Sequence, residues 1–134
     1  MVYKTNFRIY YEDTDCGGVV YHSNYLKFAE RARTEMLRSV NINQRQLSKE
    51  QSLYFVVHKI DVRYIKSVKL DDIIFIETEI LAINSVSLKI IQKIFLENKI
   101  LSCTLNATIA CVKEVNNNFK PYKIPDVIKN LLKN

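Results

Sequence analysis

Residues 10–38, YYEDTDCGGVVYHSNYLKFAERARTEMLR, hold both glycines of a 134-residue chain, side by side at Gly17 and Gly18. A residue used so sparingly is there for backbone geometry. Glycine enters left-handed angles closed to other side chains and allows close approach, so the pair marks a sharp bend directly after Asp15. Beyond it, Tyr25, Phe28, Ala29, Ala32, Met36, Leu37 and Val40 recur with a 3.6-residue period and predict a helix over 24–40, with Ser23 placed to cap it. Leu26 widens the apolar arc to nearly half the circumference, which suits a helix packed inside a curved sheet. The start of a helix offers unpaired N–H groups and a positive dipole end, and both favour an oxygen carrying negative charge. Carboxylate, bend and helix start fall within ten residues.

Upstream, Tyr3, Thr5, Phe7, Ile9 and Tyr11 alternate with polar Lys4, Asn6 and Arg8, the period of a half-buried strand that delivers Tyr11 to the bend. Downstream, Asn41-Ile42-Asn43 ends the helix, and Asn43 with Gln46 reads as a cap for a short turn reaching Glu50. Tyr54, Val56, His58, Ile60, Val62 and Tyr64 read as one face of a long strand. Three further strands are expected near 72–83, 86–97 and 100–113. Asn84-Ser85 and Asn98-Lys99 read as two-residue hairpin turns, with Asp71-Asp72 closing the turn before them, so the pairing is antiparallel. Residues 116–118 read as an exposed loop, and Pro125 opens a short terminal helix whose Val127, Ile128, Leu131 and Leu132 dock on the body. Strand, long helix and antiparallel meander make one α+β domain over 1–134, with the sheet around the helix.

Composition narrows the field without naming a partner. At 48% hydrophobic the chain can bury about two-thirds of its unfolded surface, and there is no room for a second domain. Twenty basic against 14 acidic residues give a charge of +6, which suits an anionic partner. The basic residues are scattered, with no arginine-rich run or nucleic-acid motif, so no nucleic acid is expected. Three cysteines, Cys16, Cys103 and Cys111, are an odd number without C-x-x-C spacing, which argues against disulfides and for a reducing compartment. The N-terminus lacks the apolar core of a signal peptide, and no apolar run approaches the roughly 18 residues of a membrane span, so a cytoplasmic protein without a transmembrane segment is expected.

Among candidates for chemistry, Asp15 stands first. A carboxylate beside a bend and a helix start can attack a carbonyl or activate water while backbone N–H groups hold the oxyanion, although an Asp that merely forms the turn fits the local sequence equally well. His22, seven residues on, adjoins the helix start and is placed to relay a proton or orient a substrate. The Tyr11 hydroxyl could bond the carboxylate or the substrate, or its ring could serve the core. His58, on an apolar strand face, reads as a core or pocket-wall residue. Cys16 has no partner at a recognisable nucleophile spacing, and two histidines without clustered ligands predict no metal site. Glu30 falls just outside the apolar arc, where a salt bridge is expected. Arg33 falls inside it, where an unpaired guanidinium is costly, so a carboxylate from Glu30, Glu12 or Asp13 is expected to hold it.

The run Tyr11, Asp15, Gly18, Tyr21, His22, Tyr25, Leu26, Phe28, Glu30, Arg31, Ala32, Arg33 resembles the N-terminal signature of the hotdog-fold acyl-CoA thioesterases, the YbgC-like and 4-hydroxybenzoyl-CoA thioesterase group. Tyr64 followed by Asp71-Asp72 extends the likeness, with Ser67 where a proline is expected. The resemblance implies a hotdog fold, hydrolysis of an acyl-CoA thioester to free CoA and a carboxylic acid without a cofactor, and pairing into homodimers or homotetramers. It implies Asp15 as general base or nucleophile, the backbone N–H at His22 polarising the thioester carbonyl, and Tyr11 and His22 as further catalytic candidates. Gly18, Val19, Tyr25, Phe28, Val56 and Val57 are the expected substrate-binding residues. Other hotdog enzymes carry their working glutamate on the central helix, which makes Glu30 the rival base. The other readings are a hotdog hydratase or dehydratase, and an acyl-binding or scaffold protein working with acyl carrier protein.

Overall fold

The computed structural model describes residues 1–133. One antiparallel sheet runs in the order β1-β3-β4-β5-β2, formed by β1 Val2–Arg8, β2 Leu53–Tyr64, β3 Ile73–Ile83, β4 Ser87–Leu96 and β5 Ile100–Val115, with β6 Asn118–Pro121 added to the far end of β5. Helix α1 Asn24–Ser39 packs on its inner face, followed by α2 Gln44–Gln51, and α3 Asp126–Leu132 closes the chain. The α+β reading therefore holds.

Two apolar clusters fill the space between helix and sheet, and α1 contributes to both. Tyr25, Phe28, Ala29 and Ala32 join Ile9, Val68, Ile74, Ile76, Ile94 and Leu105, while Met36 and Leu37 join Leu53, Leu88, Ile90, Ile109 and Ile128. Fully burying one such large apolar side chain is worth about 1.5–3 kcal/mol. Alanines at 29 and 32 let the helix approach the strands closely.

The helix ends as its sequence suggests. Asn41 takes φ 66°, its N–H bonds the Arg38 carbonyl, and the Ile42 N–H reaches back to Leu37, a Schellman cap with the Leu37–Ile42 apolar contact that accompanies it. Asn43 Oδ1 accepts from the Gln46 N–H at 3.1 Å, so the α2 cap is as read. At the helix start the structure differs from expectation. Ser23 occupies the cap position but has helical angles and makes no side-chain cap bond. Asn24 does the anchoring, through Nδ2 to the Asp13 carbonyl at 2.8 Å.

Three strand-level expectations are also corrected. β1 stops at Arg8 because Asp13 Oδ2 takes the Tyr10 N–H and winds residues 11–13 into a single 3-10 turn, so Tyr11 leaves the buried face and is 80% exposed. In β2 a bulge at His58 switches faces: Leu53 and Phe55 point inward before it, Ile60 and Val62 after it, and His58 itself is exposed rather than in the core. The exposed loop expected at 116–118 is shorter by one residue: Asn116 and Asn117, at φ 51° and 64°, form a two-residue hairpin turn, and Asn118 already begins β6, which runs back along β5. Asn98 and Lys99 take left-handed angles, but Leu96 pairs with Ile100, so that turn has three residues, Glu97–Lys99, rather than two, and the Asn84 N–H bonds Ser87, which shifts the other turn to Ser85-Val86.

Arg33 is not held by a carboxylate. Its Nη1 donates to Gln92 Oε1 at 3.0 Å, and Gln92 Nε2 donates to the Ala29 carbonyl at 2.9 Å and to Thr78 Oγ1 at 3.0 Å, with Gln92 and Thr78 both buried. Burial pulls the guanidinium below its ordinary pKa, partly offset by the Glu30 charge. Gln92→Leu strands the Thr78 hydroxyl and the guanidinium together and is expected to cost about 1–3 kcal/mol in urea unfolding. Adding Thr78→Val should recover part of that loss, and an unchanged unfolding midpoint for Gln92→Leu would show the network contributes nothing net.

Candidate active site

The bend after Asp15 is a small hairpin. The Asp15 N–H bonds the Val19 carbonyl at 2.9 Å, Thr14 bridges Val20, and the Tyr21 N–H reaches Asp13, so residues 13–15 and 19–21 run antiparallel with Asp15 at the tip. At that tip the Gly18 N–H bonds the Asp15 carbonyl at 3.1 Å and Asp15 Oδ1 accepts the Gly17 N–H at 2.8 Å. The turn-forming role of Asp15 is real, yet it uses one carboxylate oxygen, and the residue is exposed. Gly18 sits at φ 79°, the left-handed region. Gly17 needs no unusual angle, but a Cβ there would stand 3.2 Å from Asp15 Oδ1.

The hairpin is tied to the body on its Val19–Val20 side. The Val20 N–H donates to the Val68 carbonyl at 2.8 Å, Val19 bridges Lys69, and the Val20 side chain is buried in the core. Asp13 holds the other side through its carbonyl, which accepts from both the Tyr21 N–H and Asn24 Nδ2. Loop and helix start therefore share one anchor.

At the helix start an aromatic group gathers that the sequence showed only in part. The Tyr64 hydroxyl donates to the His22 carbonyl at 2.8 Å across 42 residues of chain. Its ring meets Tyr25 edge-on at 5.2 Å and His22 edge-on at 6.4 Å, while Tyr21 lies 4.3 Å from His22. Burial pushes the Tyr25 phenol up, with the Val68 backbone and the Ser102 hydroxyl pulling it back, and burial likewise raises Tyr64. A hydrogen bond on the His22 carbonyl orients the peptide that begins the helix, and with it the N–H groups of the first turn. Tyr64 is the residue that reading the motif locally misses. Its signals are its position at the end of β2 and the likeness that Tyr64 with Asp71-Asp72 extends, and neither points to a bond with His22.

The structure brings Asp15, Gly18, Val19 and His22 onto this one anchored loop, with Tyr11 on the 3-10 turn before it. Tyr25 and Phe28 lie behind it, 4% and 2% exposed, Phe28 against Phe7 at 5.8 Å. Val56 and Val57 sit on opposite faces of β2, and only Val57 faces a cavity beneath α1, beside Arg33. Glu30, the rival base, is exposed and accepts from Thr34 Oγ1 at 2.9 Å. Cys16 is exposed, whereas Cys103 and Cys111 are buried, with the Cys103 thiol pushed up to about 11. No group of three or more His, Cys, Asp or Glu gathers as a metal site among the described residues, and no helix there is long and apolar enough to cross a membrane.

A family model described as the thioesterase superfamily matches residues 17–103, from the glycine bend to the start of β5. The chain belongs to the thioesterase superfamily. Among curated members, the acyl-CoA thioesterase YbgC of Haemophilus influenzae is 41% identical over 122 residues, covering 91% of this chain and 88% of that protein. The acyl-CoA thioester hydrolase YbgC of Escherichia coli O157:H7 is 40% identical over 127 residues, 95% of this chain and 92% of its own. Of solved structures, a probable thioesterase from Bartonella henselae superposes with a TM-score of 0.86 at 30% identity, covering 93% of this chain and all of its own. A mutant 4-hydroxybenzoyl CoA thioesterase complexed with 4-hydroxybenzoyl CoA reaches 0.92 over 98% of both chains at 15% identity, a likeness of fold alone. The sheet wrapped on one long helix is thus the hotdog arrangement of this superfamily.

The two glycines make separable contributions to the thioesterase loop. Gly18→Ala forces a side chain into left-handed angles and is expected to cost about 1–2 kcal/mol in chemical unfolding. Gly17→Ala should cost less, because the crowded neighbour is an exposed carboxylate. Equal losses would show that the strain at residue 18 is not what sets the bend.

Proposed function

We propose that this chain hydrolyses acyl-CoA thioesters to free CoA and a carboxylic acid, with Asp15 as general base or nucleophile. The reading is supported by family membership, by relatives of about 40% identity named as acyl-CoA thioesterases over nearly their whole length, and by one local observation. That observation is the anchored loop, which holds the exposed carboxylate of Asp15 and the residues leading into α1 on one short, doubly tied segment.

The chemistry follows from what each group offers. Main-chain N–H groups at the helix start, including that of His22, bind the thioester carbonyl oxygen and stabilise the negative charge it gains when its carbon is attacked. Asp15 either takes a proton from the attacking water or attacks the carbon itself to form an anhydride that water then opens. In both routes the C–S bond breaks, the sulfur leaves as thiolate and is protonated, and water supplies the new carboxyl oxygen. Gly18 and Val19 give the thioester close access to backbone, and the +6 net charge suits a CoA phosphate group.

Asp15→Asn preserves the Gly17 hydrogen bond while removing basicity and nucleophilicity, so thiol release should fall at least about a hundredfold with binding retained. Glu30→Gln should do far less, and His22→Ala, which keeps the backbone N–H, should cost only modestly. Near-normal turnover in Asp15→Asn with loss in Glu30→Gln would move the reaction to the helix glutamate. Purified protein, a panel of acyl-CoAs and a thiol-reactive dye make the measurement, with Cys16 replaced to remove its own signal.

The sheet leaves β2 as a free edge whose Val56 and Val57 are 40% and 46% exposed. An edge of 12 residues invites pairing, so the working form is a homodimer or a dimer of dimers. Light scattering at micromolar concentration should give a multiple of 15.7 kDa, and a monomer mass would remove this part of the reading.

A further inference from the structure

The two peptides that lead into α1 are held in different ways. The Tyr21 carbonyl accepts the Asn24 N–H at 2.9 Å, which closes a turn over residues 21–24 and fixes the peptide carrying the His22 N–H. The next peptide, between His22 and Ser23, is the centre of that turn, where neither the C=O nor the N–H is bonded by the turn itself. The helix does not hold it either: the Leu26 N–H, which could have reached the His22 carbonyl, bonds the Ser23 carbonyl at 3.2 Å instead. What holds this peptide is Tyr64, whose hydroxyl donates to the His22 carbonyl at 2.8 Å.

Tyr64 is a firm support. It ends β2, and the next two residues, Ile65 and Lys66, both donate their N–H groups to the Ser102 carbonyl, at 2.8 and 3.0 Å, while Ser102 Oγ donates to the Lys66 carbonyl at 2.6 Å. Its ring stands edge-on to buried Tyr25 at 5.2 Å. The same stretch ties the Asp15 hairpin, because the Val68 carbonyl accepts the Val20 N–H at 2.8 Å. Turn and hairpin are thus fixed to one another through residues 64–68.

The His22–Ser23 peptide is trans, so its N–H points opposite to the carbonyl that Tyr64 holds. Ser23 has helical angles, φ −72° and ψ −19°, which align that N–H with those of the first turn of α1, directed out of the helix. It donates to no group among the described residues.

We propose that Tyr64 is a positioning residue: by holding the His22 carbonyl it aims the Ser23 N–H, which joins that of His22 as a second donor to the carbonyl oxygen of the substrate. That this carbonyl belongs to a thioester rests on the hydrolase reading above; the orientation of the peptide rests on the hydrogen bonds alone.

Ser23 can be observed directly, because His22-Ser23 is the one His-Ser step in the sequence. Protein carrying histidine isotopically labelled at the carbonyl carbon and serine labelled at nitrogen gives one carbon-coupled amide signal in NMR, that of Ser23. The probe is a hexanoyl-CoA analogue in which a methylene replaces the thioester sulfur, so that it binds without turnover. On titration the Ser23 amide proton should move downfield in the unsubstituted protein and stay in place in Tyr64→Phe, which keeps the ring and its packing on Tyr25. Tyr64→p-aminophenylalanine returns a donor to the same position and should restore the movement.

Turnover supplies the second measurement. In Tyr64→Phe, kcat for hexanoyl-CoA should fall at least about tenfold while KM changes far less, the mark of an interaction that strengthens in the transition state. The p-amino variant should recover most of that loss, which a role in packing alone would not allow. No movement of the Ser23 signal in the unsubstituted protein overturns the donor, and this outcome needs no variant to fold. Movement undiminished in Tyr64→Phe overturns the positioning role, and unchanged kcat in that variant overturns its use in the reaction. Absence of thiol release from every acyl-CoA overturns hydrolysis alone, and the Ser23 signal still decides what Tyr64 positions.

Discussion

The hydrogen bond from Gln92 Nε2 to the Ala29 carbonyl joins the middle of α1 to the middle of the sheet, and the placement of the site follows from it. Apolar burial alone fixes poorly the rotation of a helix about its axis, since a wide apolar arc packs almost as well a few degrees either way. A directional bond between two buried groups removes that freedom. With Ala29 pinned, the helix face carrying Tyr25 and Phe28 meets one core cluster and the face carrying Met36 and Leu37 meets the other. The first turn, four residues before Ala29, is then delivered to Tyr64 at the end of β2.

What was legible in the sequence is what depends on local period and local backbone limits. The helix over 24–40 was readable because seven apolar residues keep the 3.6 period, and its end because Asn41 can take a left-handed angle. The glycine bend was readable because two glycines in the whole chain stand together. What stayed hidden depends on the partner strand. The bulge at His58 is invisible in β2 alone, since a strict alternation reads straight through the point where the register against Val57 and Lys59 slips. Asn116-Asn117 carried a hairpin signal as good as Asn98-Lys99, but no apolar run followed it, because β6 is exposed along its whole length. Arg33 was correctly marked as out of place in the apolar arc. Its partner is not legible locally, because Gln92 lies 59 residues away and is a neutral amide rather than a nearby carboxylate.

The candidate site was legible to a similar degree and for the same reason. Asp15, Gly18 and His22 are close in sequence and their arrangement is set by bonds inside one hairpin, so the motif holds most of the geometry. Tyr64 and the Val68–Lys69 segment hold that hairpin from a distance, and neither offers a local pattern to read. Val56 and Val57 show the limit of residue-level reading of a pocket: adjacent strand residues point to opposite faces, so they do not both line the cavity beneath α1.

A site whose electrophile-binding groups are main-chain N–H groups distributes its sequence requirements unevenly. The donors themselves carry no side-chain identity, so substitution at their own positions matters less than substitution at the residues fixing the backbone: the left-handed Gly18, the Asn24 amide on Asp13, and the Tyr64 hydroxyl on His22. On the proposed mechanism these anchors are not the chemistry, yet each fixes a stretch of backbone next to the groups that would perform it. A bond of net worth near 1 kcal/mol to stability can therefore matter far more to turnover, because misaiming a donor forfeits its transition-state contribution while the fold barely registers the loss. In this chain the Ala29–Gln92–Arg33 network ties α1 to the sheet, and on the proposed reading the residues that aim the donors stand at the N-terminal end of the same helix.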